Sequence, residues 1–359
     1  MPGRTIAKTI AVLLALTACL APPSFARAAR DTLVMRNGDR ITCEVKGLDN
    51  GVLRVNLDYV DGTISIDWLK VARLESDYLF LVTLQDGSAY SAKVISPETA
   101  EGDVVKLSIQ PEGEQQSFLV DRSAVVRIGQ TADNFMQRLS GKFTVGATYA
   151  KGNSTTQYNF GSELAYQRTN WGAEVAYNSN LSASTGATTA TRNQLDFNAY
   201  RLLRWRNYFV GGIADFLQSS VQGIERQSNV GAGLGRFLKN TNRVSFWVLG
   251  GLGFQQTNYE PTVTDQQPQK VGIGVVSSRL DAFTFKQTRF SLTSTVFPAL
   301  TSQPGRLFIK TNASYYLKLF HKIDWNLSFY GSWDTQPPPH FKGSDYGRST
   351  GLSYTFGNK

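Results

Sequence analysis

The sequence predicts an all-β membrane protein: a twelve-stranded antiparallel transmembrane β-barrel preceded by a small two-repeat periplasmic β-module. Three observations predict it. After Ala28 no uninterrupted apolar run reaches the length of a membrane-spanning helix, so a chain that spans must close into a barrel. From Lys142 onward, twelve segments alternate apolar with polar residues, an even number that returns the chain to its starting side. The connections between these segments alternate short with long, the rhythm of tight periplasmic turns and larger outer loops.

Taken in order, the chain begins with Arg4 and Lys8, an apolar run from Ile10 to Leu20, and the pair Pro22-Pro23. Ser24-Phe25-Ala26 and Ala26-Arg27-Ala28 place small residues where a signal peptidase reads, so residues 1–28 form a secretory signal peptide. Leu16-Thr17-Ala18-Cys19 is similar to a lipobox, and lipidation of Cys19 stays open. The full-length apolar core and the Pro-broken segment after it favour cleavage after Ala26 or Ala28. That cleavage leaves Cys43 alone, without an internal disulfide even in an oxidising compartment. Cys43 alternates within Ile41-Thr42-Cys43-Glu44-Val45 and reads as a small buried apolar residue. With two Cys and two His in 359 residues, no Cys/His metal centre and no cofactor are expected.

Residues 31–130 carry one pattern twice, offset by about fifty residues, and read as an SH3-like two-repeat β-module. Leu33-Val34-Met35-Arg36-Asn37-Gly38-Asp39 corresponds to Leu81-Val82-Thr83-Leu84-Gln85-Asp86-Gly87. Ile41, Cys43 and Val45 are answered by Tyr90, Ala92 and Val94, and Leu53, Val55 and Leu57 by Val105, Leu107 and Ile109. Ile64, Ile66 and Trp68 are answered by Phe118 and Val120, and Val71 and Leu74 by Val125 and Ile128. Asn37-Gly38 and Asp86-Gly87 predict type I′ hairpin turns, which need positive φ at both central positions. The module is either a passive fold or the binding site for a periplasmic partner.

Phe135, Met136 and Leu139 at helical spacing predict a linker helix over 131–141 that stops at Gly141. The barrel then occupies 142–359. Its clearest segment is Ile323-Asp324-Trp325-Asn326-Leu327-Ser328-Phe329, apolar at every odd member and polar at every even one. Phe143, Val145 and Ala147 oppose Thr144 and Gly146 in the same way, and Leu195, Phe197 and Ala199 oppose Gln194, Asp196 and Asn198. The phase of Gly272 to Lys286 is not assignable. Short turns are expected at 168–170, 204–206, 239–242, 286–288 and 320–322. Longer loops are expected at 151–156, 179–190, 218–224, 256–270, 298–305 and 334–344. Tyr149, Tyr166, Trp171, Tyr177, Trp205, Trp325 and Trp333 would form the interfacial girdles.

The last segment, Ser349-Thr350-Gly351-Leu352-Ser353-Tyr354-Thr355-Phe356, resembles the terminal-strand signal read by the outer-membrane barrel-assembly machinery, with Gly351, Tyr354 and Phe356 as its marks. Three further motifs are Lys151-Gly152-Asn153-Ser154-Thr155-Thr156, Arg204-Trp205-Arg206-Asn207-Tyr208-Phe209-Val210-Gly211-Gly212, and Gly231-Ala232-Gly233-Leu234-Gly235-Arg236. Together with the terminal segment, they are similar to the domain-of-unknown-function 481 family, the salt-induced outer-membrane proteins. The resemblance covers about residues 142–356. It implies an outer-membrane barrel in a Gram-negative envelope and offers no catalytic residues. The two-copy module lies outside it.

The formal charge of +9 raises the question of nucleic acid, but no basic patch interleaved with aromatics of the single-strand-binding kind appears. Arg168, Arg204, Arg206, Lys239, Arg243, Lys286, Arg289, Lys318 and Lys322 lie at or beside the periplasmic turns. This rim is expected to meet anionic headgroups of outer-membrane lipid, at about 1 kcal/mol per cation. An enzyme is not expected. Thr257-Asn258-Tyr259-Glu260-Pro261 is similar to a short run in outer-membrane phospholipase A, yet no His-x-Ser-Asn-Gly run follows. The two histidines, His321 and His340, fall in connections without a matching Ser and carboxylate. Two function classes remain. In the first, Lys142, Glu163, Glu174, Asp196, Asp215, Lys310, Lys318 and Asp324 line the lumen of a passive small-solute pore. In the second, these charges pair within a closed core, and the barrel is an envelope-structural or stress-related anchor for the module.

Overall fold

The computed structural model describes residues 31–95, 105–130, 139–150, 155–168, 170–184, 189–203, 207–260, 268–284, 288–320 and 322–356. The signal peptide, Cys19, residues 131–138 of the expected linker helix, and His321 lie outside them.

The module is a nine-stranded antiparallel sheet folded on itself. Its first repeat comprises β1 (Asp31–Met35), β2 (Arg40–Asp49), β3 (Val52–Leu57) and β4 (Val60–Asp67). A 3-10 turn, Trp68–Lys70, then leads into β5 (Val71–Leu84). The first half of β5 returns to pair with β1, and its second half opens the second repeat. That repeat continues through β6 (Ala89–Ile95), β7 (Lys106–Pro111), β8 (Phe118–Asp121), a second 3-10 turn (Arg122–Ala124) and β9 (Val125–Gln130). β9 pairs back on β5 as the first half of β5 pairs on β1. One long strand thus serves both repeats.

The repeats share one core because alternation turns the same positions inward in each. Leu33, Cys43, Val45, Leu53, Val55, Trp68, Val71 and Leu74 pack with Val82, Ala92, Val94, Leu107, Ile109, Val125 and Ile128. The two 3-10 turns meet reciprocally. Trp68 Nε1 donates to the carbonyl of Arg122 at 3.0 Å, and the Arg122 guanidinium donates to the carbonyl of Val71. Cys43 is fully buried, and burial pushes its thiol up to about 12, with Asp31 and Glu44 adding to the effect.

Two details of the repeat differ from the sequence reading. Met35 and Leu84 make equivalent turn hydrogen bonds, so Leu33 matches Val82 rather than Leu81. In the two turns expected from Asn37-Gly38 and Asp86-Gly87 only the glycines are left-handed, Gly38 at φ +92° and Gly87 at φ +82°. The backbone with two positive φ values occurs instead at Asn50-Gly51, between β2 and β3 (+56° and +73°).

The second unit is a closed antiparallel barrel in which each strand pairs with its successor. Its strands are β10 (Leu139–Ala150), β11 (Thr155–Gln167), β12 (Trp171–Ala183), β13 (Ala190–Leu202), β14 (Tyr208–Ser219) and β15 (Ile224–Asn240). They continue with β16 (Val244–Tyr259), β17 (Gln269–Thr284), β18 (Thr288–Pro298), β19 (Leu307–Lys318), β20 (Ile323–Asp334) and β21 (Ser344–Phe356). β21 closes onto β10, with Gly141 opposite Phe356 and Val145 opposite Leu352. Leu139, Ser140 and Gly141 are strand residues, so the barrel begins inside the span assigned to the linker helix. Alternate residues explain the closure. Val145, Leu234, Leu252, Phe254, Val276 and Leu352 project outward and stay exposed, while Thr144, Asn229, Gln255, Asn326 and Ser353 are buried inside.

The short connections match the expected side, the one that carries the module. On the other side the strands reach further than expected, so that 151–154 and 220–223 are as short as 319–322. Length therefore distinguishes the two ends clearly at 260–268, 299–306 and 335–343, and by a single residue at 184–189. His340 is exposed in the last of these, at φ +70°.

Candidate functional site

The lumen is the site, and period-2 alternation is what fills it. Ionic struts cross it at three levels. Nearest the module, Arg279 of β17 reaches Glu174 of β12 at 3.0 and 3.1 Å and holds Asp281 on its own strand at 2.9 Å. At the same end Lys142 pairs with Glu163 at 2.7 Å and stands 4.1 Å from the Tyr316 ring, with Arg289 4.0 Å from Glu163. In the middle, Lys310 of β19 contacts Asp215 of β14 directly and Asp196 of β13 at 3.4 Å. Asn229 donates to Asp215 at 2.6 Å, and Gln194 to Asp196 at 2.6 Å. At the far level Arg192 bridges to Asp345 at 2.9 Å, donates to Ser332 at 2.9 Å and lies over the Tyr330 ring. Beside it, Arg306 joins Asp334 and donates to the Tyr259 hydroxyl at 3.0 Å.

These carboxylates and cations are largely desolvated, so pairing is what makes them tolerable. Charge occupies only part of the bore. Phe209, Leu217, Leu249, Val271, Ile273, Val275, Phe297 and Phe308 form an apolar lining on the β14–β19 side. Inward glycines give it room: a Cβ at Gly235 would run into the Phe209 ring.

Between the struts the lumen stays open, with Phe209, Leu249 and Phe297 on one side and Asn178, Asn198 and Ser328 on the other. A cavity of about 530 Å³ runs from the module to Arg192 and Ser349. Its module-side lining is Lys46, Leu48, Asp49, Arg127, Gly129 and Gln130, where β2 crosses β9. A smaller cavity of about 30 Å³ shares Asn159, Asn180, Arg192, Tyr330 and Ser349 with the first and reaches Arg348 beyond them.

The module covers the mouth because two barrel turns grip it. Asn242 Nδ2 donates to the carbonyls of Val125 (2.8 Å) and Ser123 (3.3 Å). The amide of Asn207 donates to the carbonyl of Asp86 at 2.9 Å. Both contacts land beside turn glycines: a Cβ at Gly51 would run into the Asn242 carbonyl, and one at Gly87 would crowd Asn207. Arg127 reaches from the module toward Tyr200 of the barrel while pairing with Asp49 at 3.3 Å, and Asp49 holds its guanidinium above its usual pKa.

A family model described as "Protein of unknown function, DUF481" matches residues 143–356. The chain belongs to the DUF481 family. A search of curated proteins finds no match. Among solved structures, the DUF481 chain is similar to the translocator domain of autotransporter NalP from Neisseria meningitidis. That likeness has 13% identity and TM-score 0.34, over 61% of this chain and 87% of that one. It is also similar to a porin refined at 1.8 Å, with 10% identity and TM-score 0.30 over 61% and 99%. The outer membrane channel DcaP of Acinetobacter baumannii matches at 10% identity and TM-score 0.27 over 91% and 94%.

In this DUF481 chain the structure brings Lys142 to Glu163 and brings Asp196, Asp215 and Lys310 together. Glu174 meets Arg279. Lys318 and Asp324 face each other in register at the module end, where Thr355 donates to Asp324 at 3.1 Å. Of the terminal marks, Tyr354 faces outward and Phe356 stacks on Phe143 at 5.5 Å. Gly351 sits where a Cβ would press on the carbonyl of Val145. Arg289, expected on the basic rim, points into the lumen instead. Sequence reading missed Arg192, Arg279, Asp281, Arg306, Asp334 and Asp345. All but Arg306, which precedes β19, follow from strand phase, and for Arg279 and Asp281 that phase was unreadable.

Proposed function

We propose that the chain is an outer-membrane β-barrel that passes small polar solutes through a narrow, strutted lumen, with the N-terminal module seated over its periplasmic mouth. The single observation that carries this reading is the cavity of about 530 Å³ between the struts, lined by Asn178, Asn198, Asn312 and Ser328 as well as by Phe209, Leu249 and Phe297, running from the module to Arg192 and continued there by the smaller one. Arg192 and Tyr330 stand at the junction, so they form the constriction. The reading assigns no catalytic step to any residue and needs no cofactor. Phe356 and Tyr354 supply the terminal mark for the assembly machinery.

A second reading is favoured by the hydrogen bonds from Asn242 and Asn207. In it the barrel anchors the module and presents it to a periplasmic partner. Single-channel recording of the full mature chain in planar bilayers separates the two. The pore reading expects small steps that grow when Arg192→Ala removes the constriction. A folded barrel silent both as wild type and as Arg192→Ala would overturn the pore and leave the anchor.

A further inference from the structure

The outer wall of a membrane barrel has to be apolar at bilayer depth, and a charge there is costly unless it reaches the headgroups. Two arginines break this wall close together, on strands β13 and β15 with β14 between them. Arg201 of β13 lies opposite Trp171 of β12 and Val210 of β14, exposed on the outward face. Arg236 of β15 lies opposite Tyr208 of β14, its guanidinium 5.1 Å from that ring, and is likewise exposed. Among the described residues neither forms an ion pair with a carboxylate. Each has an aromatic residue beside it, Trp171 and Tyr208 being about two-fifths exposed on the same face.

Their spacing suits one ligand. Arg201 is level with Val210 and Leu234, and Arg236 is level with Tyr208, two residues nearer the module. Two strand spacings across and two residues along put their Cα atoms about 12 Å apart. Two extended arginine side chains converge over that span. Val210 and Leu234, both exposed, lie beside Arg201, two residues nearer the middle of the wall than Arg236, and suit an acyl chain.

We propose that Arg201 and Arg236 form a binding site for an anionic phospholipid of the leaflet on the module's side, the two guanidiniums holding its phosphate and Val210 and Leu234 its acyl chain. Guanidinium is suited to this because it donates in pairs to phosphate oxygens and stacks on aromatic rings. The site rests on the barrel being membrane-embedded and is independent of whether the lumen conducts.

The test uses the full mature protein in vesicles of phosphatidylcholine, with or without phosphatidylglycerol, and reads thermal unfolding and phosphatidylglycerol retention by native mass spectrometry. Wild type should unfold at higher temperature with phosphatidylglycerol present and retain that lipid. Arg201→Gln/Arg236→Gln should erase the difference and weaken retention about tenfold or more. Arg226→Gln, the same charge change at the exposed far end of β15, should leave both intact. Arg201→Lys/Arg236→Lys, which keeps charge and loses the paired geometry, should fall between. An unchanged lipid difference in the double glutamine variant would overturn the site, as would an equal loss in Arg226→Gln. A barrel that inserts into neither lipid would instead count against membrane embedding.

Discussion

Asn242 donates from Nδ2 to the carbonyl of Val125 at 2.8 Å, and through that bond a barrel turn takes hold of the module's last strand. The same amide reaches Ser123 at 3.3 Å, so one side chain satisfies two carbonyls of the module. Asn242→Ala leaves the buried carbonyl of Val125 without this donor, at about 1–3 kcal/mol, while the Ser123 carbonyl keeps the Gln85 side chain at 2.9 Å. The expected outcome is looser docking: faster proteolysis between module and barrel, with the heat-modifiable mobility of the barrel unchanged. Equal protease resistance in wild type and variant would remove Asn242 from the docking contact.

The two equivalent turn glycines offer an internal control. Gly38 and Gly87 are both left-handed, so alanine at either costs about 1 kcal/mol in backbone conformation alone. Space differs between them. A Cβ at Gly38 meets nothing within 4 Å, whereas one at Gly87 stands 3.0 Å from Asn207 Oδ1 and 3.2 Å from its backbone nitrogen. Gly38→Ala should lower module stability without affecting docking. Gly87→Ala should lower both, which hydrogen exchange at the 203–207 turn would register.

Lys310 neutralises the buried Asp215 and the part-buried Asp196, which stand directly opposite each other on β14 and β13. Lys310→Met strands Asp215 and Asp196 without their cation, and breaking such a pair costs about 3–5 kcal/mol. The urea midpoint of the refolded barrel should fall accordingly. Adding Asp215→Asn should recover much of the loss, because one stranded charge is then removed. A double variant no more stable than Lys310→Met would show that the lysine acts through packing.

Cys43 should behave as an inert thiol. Its folded-state value of about 12 lies above the ordinary 9.0, so the folded protein keeps the proton that the unfolded chain gives up. Thiolate formation therefore opposes folding, and this residue's contribution to stability declines as pH rises from about 9 to 12. Maleimide labelling of the native protein at pH 8 should be negligible and should become complete on unfolding. Rapid labelling of the folded protein would mean that β2 opens readily.

Much of this architecture was legible because the lipid face and the lumen impose opposite chemistry on alternate residues. Ile323 to Phe329 shows the pattern without exception, and Lys142, Glu163 and Asp324 fell on the inner face accordingly. The pattern failed where the chemistry reverses. In the far half of β17 the inward residues are Val271, Ile273 and Val275, while Gly272 and Gly274 occupy the outward face. With the contrast inverted, the strand lost its readable phase, and Arg279 and Asp281 could not be placed inside. Docking left no trace in the sequence, since Asn242 and Asn207 reach module backbone carbonyls that any sequence would supply. The reciprocal contact of Trp68 with the Arg122 turn was hidden for a related reason: the second repeat has arginine where the first has tryptophan.

The long strand β5 has a consequence for the history and the synthesis of the module. Because its first half completes one repeat and its second half begins the other, no cut between the copies leaves two whole units. A duplication joined in this way cannot be reversed by simple loss of one copy, since either deletion would remove a strand from the survivor. During synthesis the amino-terminal repeat must likewise wait for Val71 to Leu84 to emerge. Once that strand has emerged, it is already committed to both halves.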